Sequence, residues 1–205
     1  MPDLRLSVLD QSPIPDGSSA SAAFAATIAL ARLADRLGYE RYWLAEHHNT
    51  QGLAGSSPEV LIARVAAETS RIRVGSGGVM LSHYSPLKVA ESFRVLHALY
   101  PGRIDLGGGR APGSDQLTAA VLAQGRLQPI ERFGQQLQDL AGFVYDALPP
   151  EHPYHNVHAT PRRARPARPK CGSSAQAATA RPTRRCSVLP FRTRISSIRT
   201  RPKSR

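Results

Sequence analysis

The sequence predicts an α/β fold with a parallel sheet, on three observations. Segments of strand character alternate with segments of helical period four times over, and a helix-length stretch separates each strand from the next. The polar and glycine-rich clusters follow the strands, where parallel β/α folds gather their chemistry. Four such units make either an open, doubly wound sheet or part of a (β/α) barrel.

Each element has its own signal. Leu4-Arg5-Leu6-Ser7-Val8-Leu9 alternates as a strand does, and Gln11 to Gly17 supplies turn residues. Ala22 to Leu37 carries apolar residues at helical spacing, with Gly38 at the expected stop. Tyr42-Trp43-Leu44-Ala45 is the second strand. Ser57-Pro58-Glu59 then offers an N-cap, a first-turn proline and an early acid for a helix running to Glu68. A third strand is expected over Ile72–Leu81 and a third helix over Pro86–Leu99. The fourth strand, Ile104-Asp105-Leu106, runs into three glycines. Phe133, Leu137, Leu140, Val144 and Leu148 mark a further amphipathic helix, which Pro149-Pro150 is expected to end.

Charge divides the chain at about residue 160. The net charge is +12, yet residues 161–205 carry fourteen Lys and Arg and no acid, so the rest is slightly acidic. Residues 1–160 read as one folded unit, and 161–205 as a disordered, basic Arg/Pro/Ser-rich tail. The tail could meet nucleic acid through phosphates, but Phe191 is its only aromatic residue and the body has no recognition motif, which disfavours that function. Cys171 and Cys186 have no partners at metal-ligand spacing, so no metal site is expected. With no bilayer-length apolar run and no leader, a cytoplasmic protein without membrane contact is expected.

Three clusters fall on strand ends: Glu46-His47-His48-Asn49, Ser76-Gly77-Gly78 and Gly107-Gly108-Gly109-Arg110. Imidazole titrates near neutrality and can donate or accept a proton, which makes His47 and His48 candidate catalytic residues, and spacing does not distinguish between them. The glycines let backbone approach a ligand closely. They do not form a dinucleotide fingerprint, since the G-x-G-x-x-G spacing is absent. Asp10, Gln11 and Glu46 also lie near strand ends, with no role beyond framing the pocket.

Tyr42-Trp43-Leu44-Ala45-Glu46-His47-His48, Arg73 to Leu81 and Gly102 to Arg110, in that order, resemble the bacterial luciferase-like monooxygenase family over most of residues 4–160. The resemblance implies a (β/α)8 TIM-type barrel, of which the chain supplies about the first four units. It implies a flavin-dependent oxidoreductase or monooxygenase that acts on a small organic substrate with oxygen and reduced flavin mononucleotide, or a deazaflavin in some branches. It places His47 and His48 at the family's active-site histidines and Ser76, Gly77 and Gly78 against the flavin ring, with a cis peptide at Ser76-Gly77. It places Arg110 on the flavin phosphate. A separate flavin reductase and a homo-oligomeric assembly are further implied.

The tail departs from this family. Read one base out of phase, Pro169 to Ala178 permits a Trp-Leu-Leu-Gly-Ser-Ser pattern of the kind found in the family's fifth strand, so a frameshift near Thr160–Arg163 is expected. On that reading the chain is an inactive, truncated fragment that binds flavin weakly and dissolves poorly.

Overall fold

A computed structural model describes residues 5–111, 114–125 and 132–162. The strands are β1 (Ser7–Asp10), β2 (Arg41–Leu44), β3 (Arg73–Ser76), β4 (Val79–Met80), β5 (Ile104–Asp105) and β6 (Gly108–Gly109). The helices are α1 (Ala20–Arg36), α2 (Pro58–Ala67), α3 (Pro86–Leu99), α4 (Gln116–Leu122) and α5 (Phe133–Tyr145), with a 3-10 turn at Leu81–His83. The basic tail from Arg163 onward, including the Pro169–Ala178 stretch that carries the frameshift reading, lies outside the described residues.

The parallel sheet is present in the expected order. β1, β2, β3 and β5 are hydrogen-bonded neighbours, all parallel, with Asp10 beside Leu44, Leu44 beside Ser76 and Gly75 beside Asp105. A helix follows each of the first three strands, so the strands' carboxyl ends share one rim.

Strand alternation sorts the two faces. Tyr42, Leu44, Val74 and Ile104 pack with Ala31 and Ala34 of α1, Ile62 and Val65 of α2, Phe93 and Leu96 of α3, and Leu140 and Phe143 of α5. Each large side chain removed from water in this core contributes about 1.5–3 kcal/mol. The opposite face carries Leu9, 61% exposed, together with Trp43 and an ion cluster in which Asp105 accepts from Arg41 and Arg73.

Helix boundaries follow their caps. Ser19 Oγ accepts the Ala22 N–H at 3.2 Å, so α1 starts two residues before its apolar stripe. Pro58 opens α2 as expected, but the Ser57 side chain makes no capping bond. At the other end of α1, Asp35 accepts the backbone N–H groups of Ser70, Arg71 and Ile72, fixing the entry to β3. Burial pushes the Asp35 carboxyl up, but these hydrogen bonds, led by those from Ser70 and Ile72, hold it below the usual carboxylate range.

Two expectations need correction, and one element was not expected. The strand expected over 72–81 breaks at Gly77-Gly78, where Gly78 takes φ +150°, and resumes as β4, which pairs in parallel with β6 as a separate two-stranded sheet. A single strand could not serve both sheets without that turn. The last helix ends at Tyr145, not at the prolines, because Asp146 adopts a left-handed conformation with φ 54°. Leu148 fits the helical period yet lies past the helix end, folding back over Gly142 and against the same core. α4 (Gln116–Leu122) was not among the expected elements. Its signal is the N-cap, where Asp115 accepts from Thr118 N at 3.0 Å.

Candidate active site at the strand ends

The site is built on the loops that leave β1, β2, β4 and β6. The chain turns at Ser12, with φ 51°, whose N–H donates to Asp10 Oδ1 at 2.7 Å. Asp10 Oδ2 also accepts the Tyr42 hydroxyl at 2.6 Å, so a buried carboxylate holds the ends of β1 and β2 together. Burial, and then Asp10, push the Tyr42 hydroxyl well above the usual phenol range and keep it a donor. The loop after β2 is tied to the loop after β1 by Ala54 N–H to Ser12 O at 2.9 Å and Ile14 N–H to Gly52 O at 2.8 Å. These bonds give the histidine-bearing segment a fixed exit path.

Glu46 is the centre of that segment. It is 4% exposed, and three polar groups meet its carboxylate. His48 Nε2 lies 2.9 Å from Oε1, the Tyr84 hydroxyl donates to Oε1 at 2.7 Å, and Met80 N–H donates to Oε2 at 3.0 Å. Tyr84 OH and His48 Nε2 are themselves 3.3 Å apart. Burial, followed by the Glu46 contact, pushes the Tyr84 hydroxyl above its ordinary range. Because Met80 belongs to β4, the same carboxylate joins His48 to the small sheet that contains Gly108 and Gly109.

His47 separates from its neighbour. Its backbone N–H donates to Gly55 O at 2.9 Å, while its Nδ1 is buried without a hydrogen-bond partner among the described residues. Adjacent histidines thus occupy different environments, a distinction that spacing alone did not provide.

Ser76, Gly77 and Gly78 lie where β3 gives way to β4. Ser76 Oγ donates to Gly107 O at 2.9 Å and accepts Gly107 N–H at 3.0 Å. The strand ladder continues through Gly77, whose N–H donates to Leu44 O at 2.6 Å. The expected cis peptide at Ser76-Gly77 is absent: Thr160-Pro161 is the cis bond among the described residues. With Ser76 still in register beside Leu44 and Gly77 N–H bonded to Leu44 O, the segment keeps an ordinary trans ladder there.

Arg110 is exposed and makes no ion pair among the described residues. It follows β6, and Asn49 Nδ2 donates to Asp115 Oδ2 at 2.9 Å, so the loop beyond Arg110 is fastened to the residue after His48. The structure therefore joins His48 with Glu46, Tyr84 and β4, and joins Ser76 with Gly107. Arg110 stands on the same rim without touching either group.

Tyr84 is the residue that the sequence reading missed, and Glu46 is the one it undervalued. Tyr84 carries a signal nonetheless, since it follows the 3-10 turn after β4 and directly precedes the Ser85-Pro86 start of α3. A polar aromatic at that junction is placed on the functional rim.

The site has features that suit a flat, anionic cofactor such as a flavin nucleotide. Gly77, Gly78, Gly108 and Gly109 expose backbone without side chains, His47 Nδ1 is an orphaned buried nitrogen, and Arg110 has a guanidinium that no described residue engages.

Comparison with known proteins gives an independent view. The family model for luciferase-like monooxygenases matches residues 4–182. The chain is 48% identical over 159 residues to N-acetyl-S-alkylcysteine monooxygenase of Bacillus subtilis, covering 78% of this chain and 48% of that protein. It is 49% identical over 158 residues to a luciferase-like monooxygenase of Escherichia coli strain K12, covering 77% and 45%. Among solved structures it resembles apo-MsnO8, with a TM-score of 0.72 and 48% identity over 79% of this chain and 47% of that one. The chain spans about half the length of the curated relatives it matches. A fold likeness at 22% identity and TM-score 0.58, covering 70% of this chain and 39% of the other, links it to the oxygenating constituent of 3,6-diketocamphane monooxygenase of Pseudomonas putida, solved with FMN.

Proposed function

Because the chain belongs to the luciferase-like monooxygenase family, we propose that its strand-end site serves a flavin-dependent monooxygenase acting on a small organic molecule. Flavin mononucleotide is the proposed cofactor, used in its reduced form and supplied by a separate flavin reductase. When bound, the flavin supplies the electrons and the means of activating oxygen. The chain's own residues bind, orient and move protons.

The observation that carries this reading is the Glu46 bridge. One buried carboxylate engages His48 and the backbone of β4, which ties an ionisable ring to the small sheet that β4 forms with Gly108 and Gly109. In the proposed arrangement His48 holds and moves the proton, His47 lines the site, and Ser76, Gly77 and Gly78 present backbone to the flavin ring. Arg110 offers two parallel donors to the cofactor's phosphate, which a guanidinium fork matches.

The division of roles is tested in a frame-restored protein by comparing His48→Ala with Arg110→Ala. Replacing His48 is expected to lower kcat by about 100-fold or more with little change in FMN affinity, the size typical of a lost acid-base group. Replacing Arg110 is expected to weaken FMN binding, measured by fluorescence quenching, and to leave kcat at saturating flavin nearly intact. Equal loss of affinity in both variants would defeat the assignment.

A further inference from the structure

We infer that Glu46 and Tyr84 are positioning residues that fix the His48 imidazole as its Nε2–H tautomer, making Nδ1 the nitrogen that takes up and returns the proton. The inference rests on the flavin-enzyme reading only for what that proton is used for. The tautomer follows from counting donors and acceptors at one carboxylate.

Glu46 Oε1 is approached by His48 Nε2 at 2.9 Å and by the Tyr84 hydroxyl at 2.7 Å. Tyr84 has one proton to give, and its distance to Nε2 is longer, 3.3 Å. Its proton therefore goes to Glu46, and no described group is left to donate to Nε2. A carboxylate only accepts, so Nε2 must carry the hydrogen that meets it. Met80 N–H occupies Oε2 at 3.0 Å, which prevents the carboxylate from turning its other oxygen to the ring.

In neutral imidazole the second nitrogen then has the lone pair. His48 Nδ1 has no hydrogen-bond partner among the described residues, and the side chain is 13% exposed, so the lone pair is available without the ring being flooded. When Nδ1 takes a proton the ring becomes cationic and Nε2–H still donates to Glu46, so uptake and return require no movement of the ring. Glu46 thus acts as a carboxylate acts on a catalytic imidazole elsewhere, by holding tautomer and orientation without itself accepting the proton. His47 lacks such a partner, which separates the roles of the two histidines.

The test is long-range proton-nitrogen NMR on the full chain labelled with nitrogen-15 in its histidine side chains, His48 being assigned by the signal lost in His48→Gln. At a pH where the ring is neutral, the expected result is an unprotonated Nδ1 and a protonated Nε2. In E46Q the side-chain amide can donate to Nε2, so the tautomer is expected to shift toward Nδ1–H, whereas Y84F and E46D keep it. A wild-type ring protonated at Nδ1, or an E46Q variant with an unchanged tautomer, would overturn the inference, and the wild-type measurement decides even where E46Q fails to fold. In a frame-restored protein, with FMN turnover as a second readout, E46Q is expected to lower kcat by about 10- to 100-fold at unchanged FMN affinity, with E46D recovering part of the loss. Full activity in His48→Ala would defeat the functional reading separately, because the tautomer is measured without turnover.

Discussion

Ser76 and Gly107 hold each other through both polar groups of the glycine's backbone: the hydroxyl donates to Gly107 O at 2.9 Å and accepts Gly107 N–H at 3.0 Å. Ser76 is fully buried, so water cannot replace it. Val79 N–H also donates to Gly107 O at 2.8 Å, which leaves that carbonyl satisfied if the hydroxyl is lost. The N–H has no such reserve. Ser76→Ala is therefore expected to cost about 1–3 kcal/mol, the desolvation penalty of one orphaned buried group. Urea unfolding checks this: the midpoint falls while the slope is unchanged. An unchanged midpoint would show that the N–H finds another partner.

The glycines on this rim differ in what an added methyl would meet. A Cβ on Gly107 would stand 2.5 Å from Ser76 O, which is backbone and cannot move without opening the ladder. On Gly77 its tightest contact would be Leu9 Cδ1 at 2.8 Å, the tip of a side chain that is 61% exposed and can swing away, while the nearest backbone atom, Leu44 O, would stand at 3.3 Å. Gly107→Ala is expected to destabilise by about 3 kcal/mol or more and Gly77→Ala by about 1 kcal/mol. Thermal unfolding of the two variants in parallel tests the order, and equal losses would contradict it.

How much of this was legible in the sequence depended on whether the signal was local. α3 was expected over 86–99 and spans Pro86–Leu99, because a first-turn proline and a regular apolar stripe fix both its ends. The order β1, β2, β3, β5 followed from crossover length, a property of the chain itself. The break at Gly77-Gly78 was not legible, since a glycine pair in a strand permits a turn without demanding one. Glu46 and His48 could both be placed on a strand end, but not joined, because the hydrogen bonds that organise them run to Tyr84 and Met80, 38 and 34 residues beyond Glu46. Those contacts depend on how β4 is aimed after the break. The separation of His47 from His48 was therefore a tertiary fact.

Asp35 gives the fold a defined weakness in acid. It accepts three backbone N–H groups, from Ser70, Arg71 and Ile72, together with the Ser70 hydroxyl. Burial opposes the charge, yet the hydrogen bonds hold the folded carboxyl below its unfolded value. A depressed folded pKa contributes stability that is complete above the unfolded pKa, about 4, and is lost as pH falls through the folded value. Asp35→Ala is expected to cost about 2–3 kcal/mol at pH 7, and the gap to wild type is expected to narrow below about pH 4. Urea titrations from pH 7 to pH 3 measure it. A gap that stayed constant across that range would refute the proposed linkage.

Arg94 is the strongest single tie between α3 and the chain that follows α5. The residue is 6% exposed, and its guanidinium donates to Phe143 O at 2.6 Å, Val144 O at 3.1 Å and Ala159 O at 2.8 Å, while pairing with Asp146 at 2.8 Å. The last carbonyls of α5 have no partners within a helix that stops at Tyr145, so the arginine does the work of a C-cap from a neighbouring element. Arg94→Met fills similar space but leaves these carbonyls and Asp146 without their donor, at an expected cost of about 3–5 kcal/mol. Arg94→Lys is expected to recover little of it, because a single ammonium cannot span carbonyls on two segments as a planar fork does. The two variants also predict where the loss appears. Thr160 keeps its bonds to Glu91, at 3.2 Å from the N–H and 2.8 Å from the hydroxyl, but these are exposed and weak holders. The segment from Asp146 to Thr160 is therefore expected to open before the sheet does. In hydrogen exchange, amides there, such as Val157 N–H on Tyr154 O, lose protection in Arg94→Met while Val74 N–H on Arg103 O in the sheet keeps it. Loss of protection at both sites together would mean that Arg94 supports the whole fold and not this one junction.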